Sequence, residues 1–391
     1  MTAVSITRAG IVSCLGLGLK TNAERLLAGN SGIKESKEKG REGYFGAVSL
    51  TNNKLKTALG FSLDSVISRT ALLGLAAAKE AWNEMPQDEN LKCAFINAST
   101  VGGMDLTETY FSNLHANKQA NPSLVAMHDL GAVTNFIAAN ITSFDYINTI
   151  STACSSSANA IMIGAQLINA GMFDRVLVGG TDALCNFTYQ GFKSLMVLDN
   201  DWCKPFDVSR KGLNLGEGAA YLVLENEKSR KSSGNEVLAK LSGWANANDA
   251  FHNTGTSPDG IGAQLAISKA LMQADLSPSE IDYINAHGTA TPNNDLSEYN
   301  AMNSVFQKSL PIFSSTKAFT GHTLAASGAI EAVFSLIALN KQVAFVNLNV
   351  EEVVDDCKAI SRETKFKHIA NVLSNSFGFG GNCTSLIFSE A

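Results

Sequence analysis

Cys154 sits in the run S-T-A-C-S-S-S-A, directly after an apolar run that reads as a strand and at the head of an Ala-rich stretch that reads as a helix over 155–170. A helix N-terminus carries roughly half a positive charge and several unpaired N–H groups, so a cysteine there tends toward thiolate, and small neighbours let its own N–H face a substrate. The competing reading is a buried structural cysteine, which is the default for Cys14, Cys93, Cys185, Cys203, Cys357 and Cys383. Two histidines stand in similar settings. His287, in Y-I-N-A-H-G-T-A-T-P, follows an apolar strand where open α/β folds place functional groups, and Thr289 and Thr291 add hydroxyls that could bond an amide-bearing ligand arm. His322, in T-K-A-F-T-G-H-T-L-A-A-S-G-A-I-E, has Lys317 and Glu331 on either side; a cation and a carboxylate can fix an imidazole's tautomer, and the ammonium favours its neutral form. Spacing alone leaves Lys317 and Glu331 equally readable as a surface ion pair. In N-S-F-G-F-G-G-N the glycines permit a tight turn whose N–H points into a cavity, with Phe377 and Phe379 lining an apolar wall or simply filling core. No G-K-[ST] follows and no ribose-binding acid stands at the dinucleotide offset, so this is not a phosphate loop.

The elements that must position these residues alternate. Runs at 93–98, 146–150, 175–179 and 221–225 read as buried strands, and 68–82 and 155–170 as helices, which argues for an α/β fold. The second half repeats this outline, with strands expected at 238–241, 283–286, 311–314, 371–373 and 384–388. In both halves a strand runs into a Ser/Thr-rich turn and then a small-residue helix, carrying Cys154 in one and His322 in the other. A duplicated unit would bring those turns together across a pseudo-twofold. The polar segment 227–236 marks the expected boundary, giving halves 1–230, with the cysteine, and 231–391, with both histidines.

With 391 residues, 45% hydrophobic and 17% charged, the chain has material for a large core. A net charge of -6 with scattered Lys and Arg gives no basic stripe for nucleic acid. Seven cysteines, odd in number and without C-x-x-C spacing, suggest reduced thiols and neither a disulfide framework nor a zinc site. The start lacks a basic, long apolar leader and no run of about 18 apolar residues is evident, so a soluble cytoplasmic protein away from membranes is expected.

The conjunction of T-A-C-S-S, N-A-H-G-T-x-T, T-K-x-x-x-G-H-T and F-G-F-G-G, in this order, resembles the β-ketoacyl-[acyl carrier protein] synthases of the elongating types I and II. The resemblance spans nearly the whole chain, from R-A-G-I-V-S-C-L-G through P-F-D-V-S-R-K-G-L-N-L-G-E-G. It implies a thiolase fold, two duplicated halves in a layered α-β-α-β-α sandwich. It implies Cys154 as acyl-accepting nucleophile, His287 and His322 acting on a malonyl thioester, and Lys317 with Glu331 as their electrostatic support. It further implies an oxyanion hole from the N–H groups of Cys154 and Phe379, Phe379 as acyl gate beside Phe377, and Thr289 and Thr291 as holders of phosphopantetheine. No metal or redox cofactor enters such a reaction; the partners implied are acyl carrier protein and a second, like or related, subunit. Lys211, Leu213 and Cys383 depart from the family's usual acid, phenylalanine and asparagine, which opens a specialised polyene or polyketide pathway beside fatty acid synthesis. Two rivals share the fold. A thiolase needs a second catalytic cysteine in a C-x-G setting, whereas Cys383 precedes Thr384 and Ser385; a chain-length partner subunit lacks the nucleophile. Lys54, Lys56, Arg69, Lys204 and Arg210 are the candidate landing site for an acidic carrier protein.

Overall fold

In the computed structural model, which describes residues 3–38, 40–354 and 357–391, the apolar runs form strands that are mostly buried on both faces, the edge strand at 146–150 being the exposed exception. The first half supplies β1 (Val4–Ser13), β2 (Cys93–Ala98), β3 (Tyr146–Ile150), β4 (Arg175–Asp182) and β5 (Gly218–Glu225). The second supplies β6 (Ala239–Asn248), β7 (Tyr283–Asn285), β8 (Ile312–Ser314), β9 (Asn371–Gly378) and β10 (Asn382–Ser389). Along the sheet the order is β8-β7-β9-β10-β6-β1-β5-β4-β2-β3, so each half has its third strand outermost, then its second, fourth, fifth and first. Directions repeat as well. β2 runs parallel to β3 and β4, while β4–β5 and β5–β1 are antiparallel; β7 runs parallel to β8 and β9, while β9–β10 and β10–β6 are antiparallel. The halves join where β1 pairs antiparallel with β6, Val4 facing Leu241 and Ile6 facing Ala239.

Six helices complete the layers: α1 (Arg69–Trp82), α2 (Leu130–Ala139), α3 (Ser156–Asn169), α4 (Ile261–Ala274), α5 (Pro292–Phe306) and α6 (Ser327–Lys341). Parallel strands need cover on both faces, and the Val/Ile/Leu-rich runs here receive it. α1 and α2 pack on the outer face of the first half through Leu72, Leu75, Val133 and Ile137, against Phe95, Leu177 and Tyr221. α4 and α5 do the same for the second through Ile267, Leu271, Met302 and Phe306. α3 and α6 lie back to back between the sheets, where Ile161, Ala165, Ile330 and Phe334 join Val178, Leu222, Val372 and Phe388. The result is the expected α-β-α-β-α sandwich of two duplicated halves. At Gly328 a Cβ would stand 2.8 Å from the backbone nitrogen of Ala158, so glycine is what lets the two central helices approach this closely. The segment Leu324–Lys341 is long and apolar enough to cross a membrane by composition, but 89% of it is buried in this central layer, with Glu331 on it. The polar segment read as a boundary forms a short helix, Glu227–Ser233, between β5 and β6, closed by Gly234 in the left-handed region.

Candidate active site

Because the two halves share one strand order, their third strands deliver equivalent turns to the middle of the molecule. β3 leads through Thr152 and Ala153 to Cys154 and α3; β8 leads through Lys317 to His322 and α6. The loop after β7 adds His287, and the β9–β10 turn adds Phe379. Ala153 is a non-glycine residue at φ 53, a conformation that costs about 1–3 kcal/mol and must be imposed by its surroundings. Ser156 does this: its hydroxyl accepts from Thr152 N–H at 2.8 Å and donates to the Ala153 carbonyl at 2.5 Å. At Gly378 a Cβ would meet the Thr152 carbonyl at 2.8 Å and the Cys154 nitrogen at 3.2 Å, so only glycine allows the β9–β10 turn to close over the cysteine. Asn382 holds that turn in place, its Oδ1 accepting from Ser155 Oγ at 2.7 Å, Asn246 Nδ2 at 2.8 Å and Asn159 Nδ2 at 2.9 Å.

The cysteine is not the resting thiolate that its helix end suggested. Burial pushes the Cys154 thiol up to about 12, against the Lys317 charge and the Phe379 N–H, which pull it down. Desolvation is the largest influence on this thiol, as it is for any anion removed from water without a full counter-charge. The two groups that oppose it are the ones that would stabilise negative charge forming at the sulfur.

Both imidazoles are neutral donors. Burial, then Lys317, hold His322 well below the usual histidine range; burial, Lys317 and then His322 do the same to His287. Lys317 Nζ lies 3.2 Å from His287 Nδ1, and an ammonium can only donate, so the His287 ring proton is on Nε2. At His322 the Leu324 backbone N–H donates to Nδ1 at 3.2 Å, which again leaves the proton on Nε2. Spacing had placed Lys317 and Glu331 around His322. In the structure Lys317, paired with Glu331, contacts His287 directly and acts on His322 only through its charge, while His322 is oriented by Leu324 and by Ser327 Oγ, 3.0 Å from Nδ1. Burial raises Glu331 to about 7 against the pull of Lys317. Glu298, which the sequence reading passed over, accepts from the backbone N–H groups of His287 and Gly288 at 2.8 Å each and so fixes the histidine loop.

Cys154, His287, His322, Thr289, Phe377 and Phe379 all line one cavity of about 360 Å³. The imidazole centroids are 5.6 Å apart at 88°, and Phe377 lies 5.6 Å from His287. Phe192, on the helix Asn186–Ser194, stacks on Phe379 at 5.7 Å and lines the cavity with it; nothing in N-F-T-Y-Q-G-F distinguished it from a core aromatic. Thr289 and Thr291 also line the cavity, their hydroxyls 2.8 Å apart, as do Lys211 and Leu213. Cys383 does not: it is buried, with Sγ 3.6 Å from the Gly381 carbonyl. A larger hollow of about 1140 Å³ lies beside Arg69 and Glu217 and contains none of these groups.

Of the five basic residues read as a landing site, Arg69 is withdrawn from the surface by its inward bonds. Arg69 is turned inward on Glu217 and the carbonyls of Val48 and Leu50, Lys204 pairs with Glu351, and Arg210 donates to the carbonyls of Asp207 and Pro292.

Residues 1–230 match the family described as Beta-ketoacyl synthase, N-terminal domain, and residues 238–351 its C-terminal domain. The 3-oxoacyl-[acyl-carrier-protein] synthase 2 of Staphylococcus aureus (strain COL) is 30% identical, over 99% of this chain and 98% of that protein. Among solved structures, the ketosynthase ApeO in complex with its chain length factor ApeC from Xenorhabdus doucetiae superposes with a TM-score of 0.87 at 30% identity, covering 100% of this chain and 98% of that one. A type II polyketide acyl carrier protein in complex with its ketosynthase, AntDE:AntF, gives a TM-score of 0.88 at 25% identity over 100% and 99%.

Proposed function

The chain belongs to the β-ketoacyl synthase family, and from that premise we propose that its cavity joins an acyl group held on Cys154 to a malonyl unit delivered by acyl carrier protein, releasing carbon dioxide. One observation carries this reading: a cysteine facing a backbone N–H shares a cavity with two neutral imidazoles whose free N–H is on Nε2.

In the first half-reaction the Cys154 sulfur attacks an acyl thioester. The oxyanion that forms is held by the N–H groups of Cys154 and Phe379, and the cysteine proton ends on the departing carrier thiol. In the second, malonyl thioester binds with its pantetheine arm along Thr289 and Thr291. The bond to its carboxylate breaks, the electron pair moves onto the thioester oxygen, and the Nε2–H groups of His287 and His322 hold that charge. The enolate carbon then attacks the acyl-cysteine and the same backbone hole serves the new oxyanion. Collapse expels the sulfur, which takes one proton from solvent, and leaves 3-oxoacyl carrier protein. Neutral imidazoles suit this step because it requires donors at an oxygen and no base, and no cofactor enters the scheme. A thiolase would need a second cysteine to move a proton, and Cys383 stands outside the cavity.

The carrier protein and a second subunit are the partners of this proposal, as in the relatives' complexes. The outer edge of β3, with Tyr146 and Ile147 exposed, offers unpaired backbone to a like or related subunit, whereas β8 at the other end is backed by the Ala359 carbonyl. We place the boundary of the two halves at 230/231, in the linker between β5 and β6. The reading is tested by intact mass after incubation with acyl carrier proteins bearing chains of graded length. One acyl adduct per chain, mapped to Cys154, is expected, and its yield profile gives the preferred length; an adduct on another cysteine, with Cys154 free, overturns the assignment.

A further inference from the structure

We propose that Ser327 is a positioning residue whose hydroxyl, backed by Thr323, donates to His322 Nδ1 and keeps that imidazole neutral with its proton on Nε2. The proposal rests on the role given above to His322. Ser327 is buried at the first position of α6, with Oγ 3.0 Å from His322 Nδ1 and 3.1 Å from Thr323 Oγ1. Leu324 N–H points at the same nitrogen from 3.2 Å, the chain reaching this geometry with Leu324 at φ 56. Two donors on one lone pair leave no place for a proton on Nδ1. The Ser327 hydroxyl therefore donates to the ring and accepts from Thr323; the imidazolium, which must carry a proton on Nδ1, is opposed outright by Leu324 N–H and makes the Ser327 hydroxyl give up its donation and reverse its bond with Thr323.

Other polar and aromatic groups lie around this turn. Lys317 lies on the turn after β8, His287 on the loop after β7, Cys154 at the head of α3 and Phe192 on the helix Asn186–Ser194, while Asp182 at the end of β4 accepts from Ala325 N–H and Glu331 pairs with Lys317. Burial and Lys317 already disfavour the imidazolium and Leu324 N–H already favours the Nε2 tautomer, so Ser327 supplies the second donor at Nδ1 that holds that state.

The test uses the purified full chain and carboxyl-labelled malonyl carrier protein, following label release against pH for wild type, Ser327→Ala and Ser327→Thr. Loss of the hydroxyl should cut kcat about tenfold at neutral pH and move the acid limb of the profile up by about one unit, the scale of one lost buried hydrogen bond. KM should hold within about twofold and acyl transfer to Cys154 should persist, since neither reads the tautomer of His322. Ser327→Thr, which keeps the oxygen, should restore the position of the limb. An alanine variant with unchanged rate, or one that is slower with its acid limb unmoved, overturns the proposal, the second because a void alone would explain it. Absence of label release from the wild type would instead overturn the reading of the cavity itself.

Discussion

Cys154→Ala makes no 3-oxoacyl product and still releases carbon dioxide from malonyl carrier protein. The substitution removes the only thiol among the described residues that line the cavity, so no acyl-enzyme can form, and condensation should drop by at least about 10⁴-fold, the scale seen when a covalent nucleophile is deleted. Decarboxylation has different requirements. It needs the malonyl arm seated along Thr289 and Thr291 and the two Nε2–H donors at the thioester oxygen, and those are held by contacts that do not involve Cys154: Lys317 and Glu298 behind His287, Leu324 and Ser327 behind His322. With no acyl group to attack, the enolate takes a proton and leaves as an acetyl thioester. Both imidazole pKa values are depressed, so the donors stay neutral as pH falls through 6.5, and label release from this variant should be level across the neutral range. A variant that neither condenses nor decarboxylates would show that the sulfur also orders the malonyl site.

His287→Ala and His322→Ala should give the opposite pattern. Each removes one of two donors to the developing enolate, and losing one such donor costs about 10²–10³ in rate. Acylation of Cys154 should continue in both, because the N–H groups of Cys154 and Phe379 come from the backbone of turns held by Ser156 and Asn382. The measurement is single-turnover condensation from pre-acylated enzyme beside intact-mass acylation. If either variant condensed at the wild-type rate, that histidine would have a structural role only.

Much of this geometry is legible in the residues. The runs at 93–98 and 146–150 are strands with those limits, because an apolar run bounded by small or polar residues has few other ways to be buried, and those at 175–179, 221–225, 283–286, 311–314 and 384–388 shift by one to three residues. The runs at 238–241 and 371–373 are only the starts of the longer strands Ala239–Asn248 and Asn371–Gly378, and Val4–Ser13 is not among the runs read as strands. The matching turns before Cys154 and His322 are legible for a related reason: duplication repeats both the pattern and the position. What the sequence hides is contact across strands. Lys317 meets His287, thirty residues earlier, because β7 and β8 are parallel neighbours and their following loops lie side by side. Spacing along one segment set Lys317 beside His322, on which its charge acts, and could not show its direct contact with His287. Ser327, Glu298, Asn382 and Phe192 are ordinary residues by type, and only the fold shows that each is aimed at a reacting group or its support. The thiolate expectation took no account of burial, which is the largest influence on Cys154 and raises its thiol. Arg69 failed as a landing-site residue because its bonds to Glu217 and two carbonyls close a loop from the inside.

The central claim is that carbon–carbon bond formation here is driven by loss of the malonyl carboxylate between two histidine donors. The most direct measurement is the stoichiometry of wild-type enzyme given acyl carrier protein and carboxyl-labelled malonyl carrier protein, counting labelled carbon dioxide against 3-oxoacyl product. One carbon dioxide per product at the start of the reaction, with no condensation when acetyl carrier protein replaces the malonyl donor, is the predicted result. Condensation that proceeds with acetyl carrier protein and releases no label from malonyl would contradict the account.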